Sequence, residues 1–225
     1  MKRNAVVVAM IAVVLVLGVW VYKTYQKNAT RNAVLTSVKD TSERLRAAVA
    51  STPAQEPVDF DAHVRAVEVR AAALRERDTS ALRPLADAAD DYLVTAREIL
   101  RRRAAMHSSR ERLTKSAEDL SRHVQADRGA AAWTQEAVRL REPVIRDLRE
   151  YRIASESYST LLESLAASQA KIAPYVPEAL LLDPKAVKDA RESALDALAR
   201  TEENVRQVAR LGPERGEPSN PRRKP

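Results

Sequence analysis

Cysteine is absent from the chain, which excludes disulfides, thiolate metal sites and thiol nucleophiles and leaves the redox compartment open. Glycine is nearly absent. Gly18, Gly129, Gly212 and Gly216 are the four present, and no two stand in a G-x-G-x-x-G or Walker-type spacing, so there is no phosphate-cradling loop. Aromatic residues make up 4%. A chain so short of Gly, Phe and, outside one segment, β-branched residues lacks the material for strands and tight hairpins. Its Ala, Arg, Leu and Glu are good helix formers instead. The expected fold class is all-α, with room in 225 residues for one domain of ordinary size and an additional segment.

Charge of one sign is also lacking. The net charge of +7 is the small difference between 38 basic and 31 acidic residues. A dense surface of mixed sign is the solvated face of helices, whereas nucleic-acid binding needs a concentrated basic face with aromatics for stacking. The one local basic concentration is Arg101, Arg102, Arg103, Arg110 and Arg112, diluted by Glu98 and Glu111. No nucleic-acid partner is expected.

One long hydrophobic run is present. Residues Ala5–Tyr22 (AVVVAMIAVVLVLGVWVY) are 18 uncharged positions, preceded by a flank of four, residues 1–4. As a helix the run is roughly 27 Å long, close to the hydrocarbon thickness of a bilayer. Its eleven Val, Ile and Leu residues favour insertion by about 4 kcal/mol in all. Trp20 and Tyr22 stand at one end, where amphipathic rings prefer the interface, and Lys23 follows to reach the headgroups. A cleaved signal peptide would have a shorter apolar core and a small-x-small site, but Lys27 and Arg31 occupy the −3 positions of the available cuts. The reading is an uncleaved signal-anchor in the inner membrane, single-pass. Basic residues on the two flanks nearly balance. Because so short a leading flank commonly stays in the cytoplasm, the domain is expected on the periplasmic or extracytoplasmic side.

Residues 28–211 read as the helical domain. Apolar residues recur at steps of three and four: Val34, Val38, Thr41, Leu45 and Ala48, then a stop at Ser51-Thr52-Pro53. After Pro57, Asp59 or Asp61 can cap a second helix with the stripe Phe60, Val64, Val67, Ala71 and Leu74. Thr79-Ser80 with Pro84 marks the next entry. A strict alternation then runs from Leu82 through Tyr92, Ile99, Arg103, Met106, Arg110 and Leu113 to Val124. Asp127-Arg128-Gly129 interrupts it, and a return stripe runs from Trp133 through Val144, Tyr151, Ser155, Tyr158 and Leu165 to Ile172. Such seams let a helix hold one line of contact with a partner helix. Near-equal segments around one glycine predict a long antiparallel coiled-coil hairpin. Its inner half, broadened by Leu93, Leu100 and Leu161, is expected to pack with the preceding helices, and its outer half to project as two strands. Ser108 and Glu111 have capping-box spacing and offer the alternative of a break near His107. Pro143 beside Val144 predicts a kink or register shift. A last helix opens at Asp183-Pro184 and stops at Gly212-Pro213, and the tail 212–225 has a composition that cannot form a core.

Chemistry is hard to place on these helices. His63, His107 and His123 are not spaced four apart, and Leu120 stands where a di-iron bundle would put the Glu before His123. Asp59 and Asp119 each precede a histidine by four and suggest surface pairs. Asp87, Asp90 and Asp91 cluster without a partner motif, and Ser155 and Gln169 interrupt the seam as polar positions. Catalytic, cofactor-binding and metal residues are therefore expected to be none, and the chain is not expected to be an enzyme. The leading expectation is a membrane-anchored scaffold or adaptor whose seams engage a protein partner or a second copy. The alternative is a sensor or ligand-binding bundle of the cell envelope that signals through a partner subunit. A third is lipid or envelope-polymer binding through the basic stretch near Arg101–Arg103.

Overall fold

The computed structural model describes residues 2–50, 59–125 and 131–210, with side chains over 14–50, 59–125 and 133–208. The expected linker at 51–57, the turn at Asp127-Arg128-Gly129 and the tail 212–225 lie outside the described residues. Five α-helices account for nearly all of the rest: α1 (Lys2–Ala50), α2 (Phe60–Arg75), α3 (Arg83–Gln125), α4 (Ala131–Ile172) and α5 (Pro184–Arg210). Short 3-10 turns precede α3 (Ser80–Leu82) and α5 (Glu178–Leu180). Among the described residues there is no strand. The apolar run and the first stripe of the domain share one helix, because no proline or glycine stands between Gly18 and Pro53 to end it.

The chain divides into two compact units, the first made of residues 1–98 and 164–183. Here α1 packs on α2 and on both 3-10 turns. Val34, Val38, Leu45 and Ala48 are fully buried, and Phe60, Val64, Val67 and Leu74 supply the facing stripe of α2. Each such Val, Leu or Phe is worth roughly 1.5–3 kcal/mol in removal from water. Asp59, one of the two caps the sequence offers, opens α2 by accepting the Ala62 N–H at 2.8 Å. Arg46 donates to the carbonyl oxygens of Ala179 (2.8 Å) and Leu181 (2.6 Å), tying the second 3-10 turn to α1. Tyr92 is buried with its hydroxyl 2.7 Å from that of Ser42. Burial pushes the Tyr92 phenol up to about 12, against the opposing hydrogen bond from Ser42.

The second unit is residues 99–163 and 184–225. Ile99, Leu100, Met106, Leu113, Leu120 and Val124 of α3 are buried there, with Ala137, Val144, Tyr151, Tyr158 and Leu162 of α4. The two run antiparallel: Arg103 lies over the Tyr158 ring, Arg112 pairs with Glu150, and His123 meets Trp133. Counting outward from Gly129 predicts slightly different partners, Leu113 near residue 145 and Ile99 near Ser159. Arg103 with Tyr158 and Arg112 with Glu150 lie three and four residues further along α4 than that count, because helical side chains lean toward their own N-termini, whereas His123 with Trp133 lies two residues the other way.

Of the two readings of this region, α3 follows the continuous one. The break near His107 is absent. Ser108 donates to the Ala105 carbonyl at 3.2 Å and Ser109 to the same oxygen at 2.7 Å, so both hydroxyls are used inside a continuous helix rather than as caps. The pairing is also not simply two-stranded. Arg191 of α5 contacts Ser159 and Glu163, and Arg152 donates to Glu202 at 2.6 Å, so α5 runs antiparallel along α4. The stripe Val187, Ala194, Leu198 and Val205 is buried in doing so. An amphipathic helix of this length must cover its apolar face, and α4 offers the nearest helical surface. α4 itself continues through Pro143, which supplies no N–H to the helix ladder.

Candidate functional site

The titratable residues singled out in the sequence are dispersed into separate structural pairings. Asp90 receives a forked contact from Arg75 (3.0 and 3.1 Å), Lys171 reaches Asp91 at 2.7 Å, and Asp87 sits 3.8 Å from Arg83. Three carboxylates within two turns thus face three different cations. Among the described residues no group of His, Asp and Glu is arranged to hold a metal ion.

His63 and His123 differ from the surface pairs expected of them with Asp59 and Asp119. His63 places Nδ1 3.1 Å from Arg44 rather than bonding Asp59; burial first, and then the Arg44 charge, hold its pKa below the ordinary value of 6.5, with Asp59 opposing. His107 lies 3.7 Å from Glu111. His123 turns away from Asp119, which pairs with Arg122, and stacks on Trp133 at 5.5 Å between ring centroids and 18° between planes.

The basic stretch does not form one face. Arg101 and Arg102 are exposed, Arg103 is half-buried over Tyr158 at 5.5 Å from the ring centroid, and Arg112 is engaged by Glu150. Gln169 donates to the Leu182 carbonyl at 3.1 Å and so holds the segment after α4 to the helix. The Ser155 hydroxyl is buried without a hydrogen-bond partner, a cost of about 1–3 kcal/mol that the surrounding apolar contacts must offset.

Apolar surface is left uncovered on α1. Val14, Leu15, Val16, Leu17, Val19, Trp20, Val21, Tyr22 and Tyr25 are each between 55% and 72% exposed. They occupy consecutive turns of α1, so every side of the helix is apolar, and a Cβ added at Gly18 would meet nothing within 4 Å. Among the described residues no helix is long and apolar enough to cross a membrane. Of the run Ala5–Tyr22 only the side chains from Val14 onward are described; Ala5–Val13 lie outside them. A second, smaller surface escaped the sequence reading: Val138, Ile145 and Ile153 are more than half exposed on α4, at spacings of seven and eight. That spacing is legible in the sequence but is hidden beside the stronger seam running down the same helix. No protein-family model matches the chain, and comparison with curated proteins and with solved structures gives no match.

Proposed function

We propose that this chain is a single-pass membrane protein in which Ala5–Tyr22 anchors a helical scaffold or adaptor that acts through protein–protein contacts. The observation that carries the reading is the all-round apolar surface of α1 from Val14 to Tyr22, exposed on every side. A helix that is apolar all round is stable only within a protein core or a bilayer, and no described residue of its own unit covers this one. Trp20, Tyr22 and Tyr25 then form the interfacial belt on the domain side, and the domain lies outside the cytoplasm. The antiparallel pairing of α3 with α4 works as a coiled-coil hairpin stiffened by α5, and it presents Val138, Ile145 and Ile153 to a protein partner. The dispersal of each candidate chemical cluster into pairings that hold helices together supports a role in contact rather than in catalysis.

Two measurements test this. Val14→Arg removes about 0.4 kcal/mol of favourable insertion and adds roughly 3, so the variant should move substantially into the soluble fraction. Full retention in the membrane would overturn the anchor. Photoreactive residues at 138, 145 and 153 in cells should capture a defined protein, whereas the polar positions 139 and 150, about 100° further round the same helix, should not. Equal capture at both sets would remove the case for a contact surface on α4.

A further inference from the structure

Just past the aromatic belt, a cavity of about 270 Å³ opens between α1 and the turn that precedes α3. Lys23, Lys27 and Thr30 line one side of it and Asp78, Ser80 and Leu82 the other. The α1 residues fall at steps of four and three, so they share one helix face. Thr30 donates to the Asp78 carbonyl oxygen at 3.5 Å and ties the two walls together. Asp78 accepts the Ser80 N–H at 3.0 Å, and the Ser80 hydroxyl and backbone hold its carboxyl below the usual carboxylate range, so it is ionised at neutral pH. Neither lysine forms an ion pair or hydrogen bond with another described residue. The cleft therefore holds two uncommitted ammonium groups and one carboxylate.

We propose that this cleft binds the headgroup of a phospholipid bearing a primary ammonium, with the phosphate at Lys23 and Lys27 and the ammonium at Asp78. The inference rests on the anchor reading for its location. At a rise of about 1.5 Å per residue, Lys23 and Lys27 stand roughly 2–8 Å beyond Tyr22, within a headgroup layer about 5–7 Å thick. The volume is just below the roughly 300–1,000 Å³ of sites that enclose drug-sized ligands, which suits a headgroup and not a larger molecule. The charge pattern chooses among headgroups. Two cations alone would take any phosphodiester, but Asp78 opposes a purely anionic headgroup. It accepts hydrogen bonds from a primary ammonium, and a quaternary one has none to donate.

The test uses the full chain. In detergent micelles, native mass spectrometry should show retention of phosphatidylethanolamine above both phosphatidylglycerol and phosphatidylcholine. Lys23→Gln with Lys27→Gln should cut ethanolamine-lipid retention roughly tenfold or more, because each substitution removes a charge-assisted hydrogen bond to the phosphate. The control pair K115Q and K188Q should leave it unchanged. Asp78→Asn should abolish the preference for ethanolamine over glycerol headgroups. All of these side chains are exposed, and unchanged helical circular dichroism confirms folding. Equal retention of phosphatidylcholine, or no effect of the lysine pair, would overturn the proposal. Two further arms separate the sources. Water-soluble glycerophosphoethanolamine should bind by calorimetry and inorganic phosphate should bind more weakly; equal binding of inorganic phosphate would reassign the cleft to a free anion. Flotation with liposomes reports on the anchor alone: if the chain stays unbound while glycerophosphoethanolamine binds, the anchor reading fails and the headgroup site stands.

Discussion

Trp133 and His123 close the second unit by exchanging contacts across the pairing of α3 and α4. The indole Nε1 donates to the His123 carbonyl at 2.9 Å, the imidazole Nε2 lies 2.9 Å from the Trp133 carbonyl, and the rings stack. The His123 carbonyl lies in the last turn of α3, where carbonyls have no intrahelical donor, and Trp133 lies in the first turn of α4. Two helices that would fray are thus joined side chain to backbone at the end nearest the connecting turn.

Trp133→Phe keeps the stacked ring and removes the donor. It should cost about 1 kcal/mol, with Trp133→Ala costing about 3 or more through the added loss of ring burial. Chemical denaturation of both variants measures the difference. Equal losses in the two would mean that the indole N–H contributes nothing.

The buried hydroxyl pair of Ser42 and Tyr92 should be strongly coupled. Tyr92→Phe or Ser42→Ala each leaves one buried hydroxyl unpaired, at about 1–3 kcal/mol, whereas the double substitution leaves none. The double variant should therefore lose clearly less than the sum of the singles. Simple additivity in urea melts would show that the 2.7 Å contact is not an energetic one.

Stability should fall on mild acidification through His63. Its folded-state pKa lies below the unfolded value of 6.5, so the unfolded chain binds the proton more readily and folding loses free energy as pH drops. The contribution is full above pH 6.5 and is lost as pH falls through the lowered value. Thermal melts at pH 7.5 and 5 should show a drop that His63→Gln reduces. An undiminished drop in that variant would assign the acid sensitivity elsewhere.

Arg103 occupies a seam position and reaches the Tyr158 ring instead of filling the seam. Arg103→Leu should raise stability by about 1 kcal/mol, a melting shift of roughly 2–4 °C, since leucine buries more apolar area than the cation–π contact is worth. A lower melting temperature would show that the arginine stabilises its own site.

Membrane topology is testable with reporters. Alkaline phosphatase fused after Gly212 should be active, and a fluorescent protein that matures only in the cytoplasm should stay dark. The reverse pair of outcomes would place the domain inside the cell.

Helix content and the buried seams were legible in the chain itself. Periodicity marks one face of a helix whatever it packs on, so Val34, Val38, Leu85, Tyr92, Ile99, Leu113, Val144, Tyr158 and Ile172 could be assigned to the interior from spacing alone, and all are buried. Local chemistry was equally readable where it involves neighbours in sequence, as with Asp59 capping α2 or Pro184 opening α5. What spacing cannot say is which partner each side chain takes. Only tertiary structure sent His63 to Arg44 instead of Asp59, spread Asp87, Asp90 and Asp91 over three cations, and laid α5 along α4. It also placed Lys23 and Lys27 opposite Asp78 across a cleft, although about fifty residues separate the two walls in sequence. The division has a physical cause: a stripe depends on the 3.6-residue repeat of one helix, whereas a pairing depends on where a second helix lies, and that is set by the summed burial of many residues far apart in the chain.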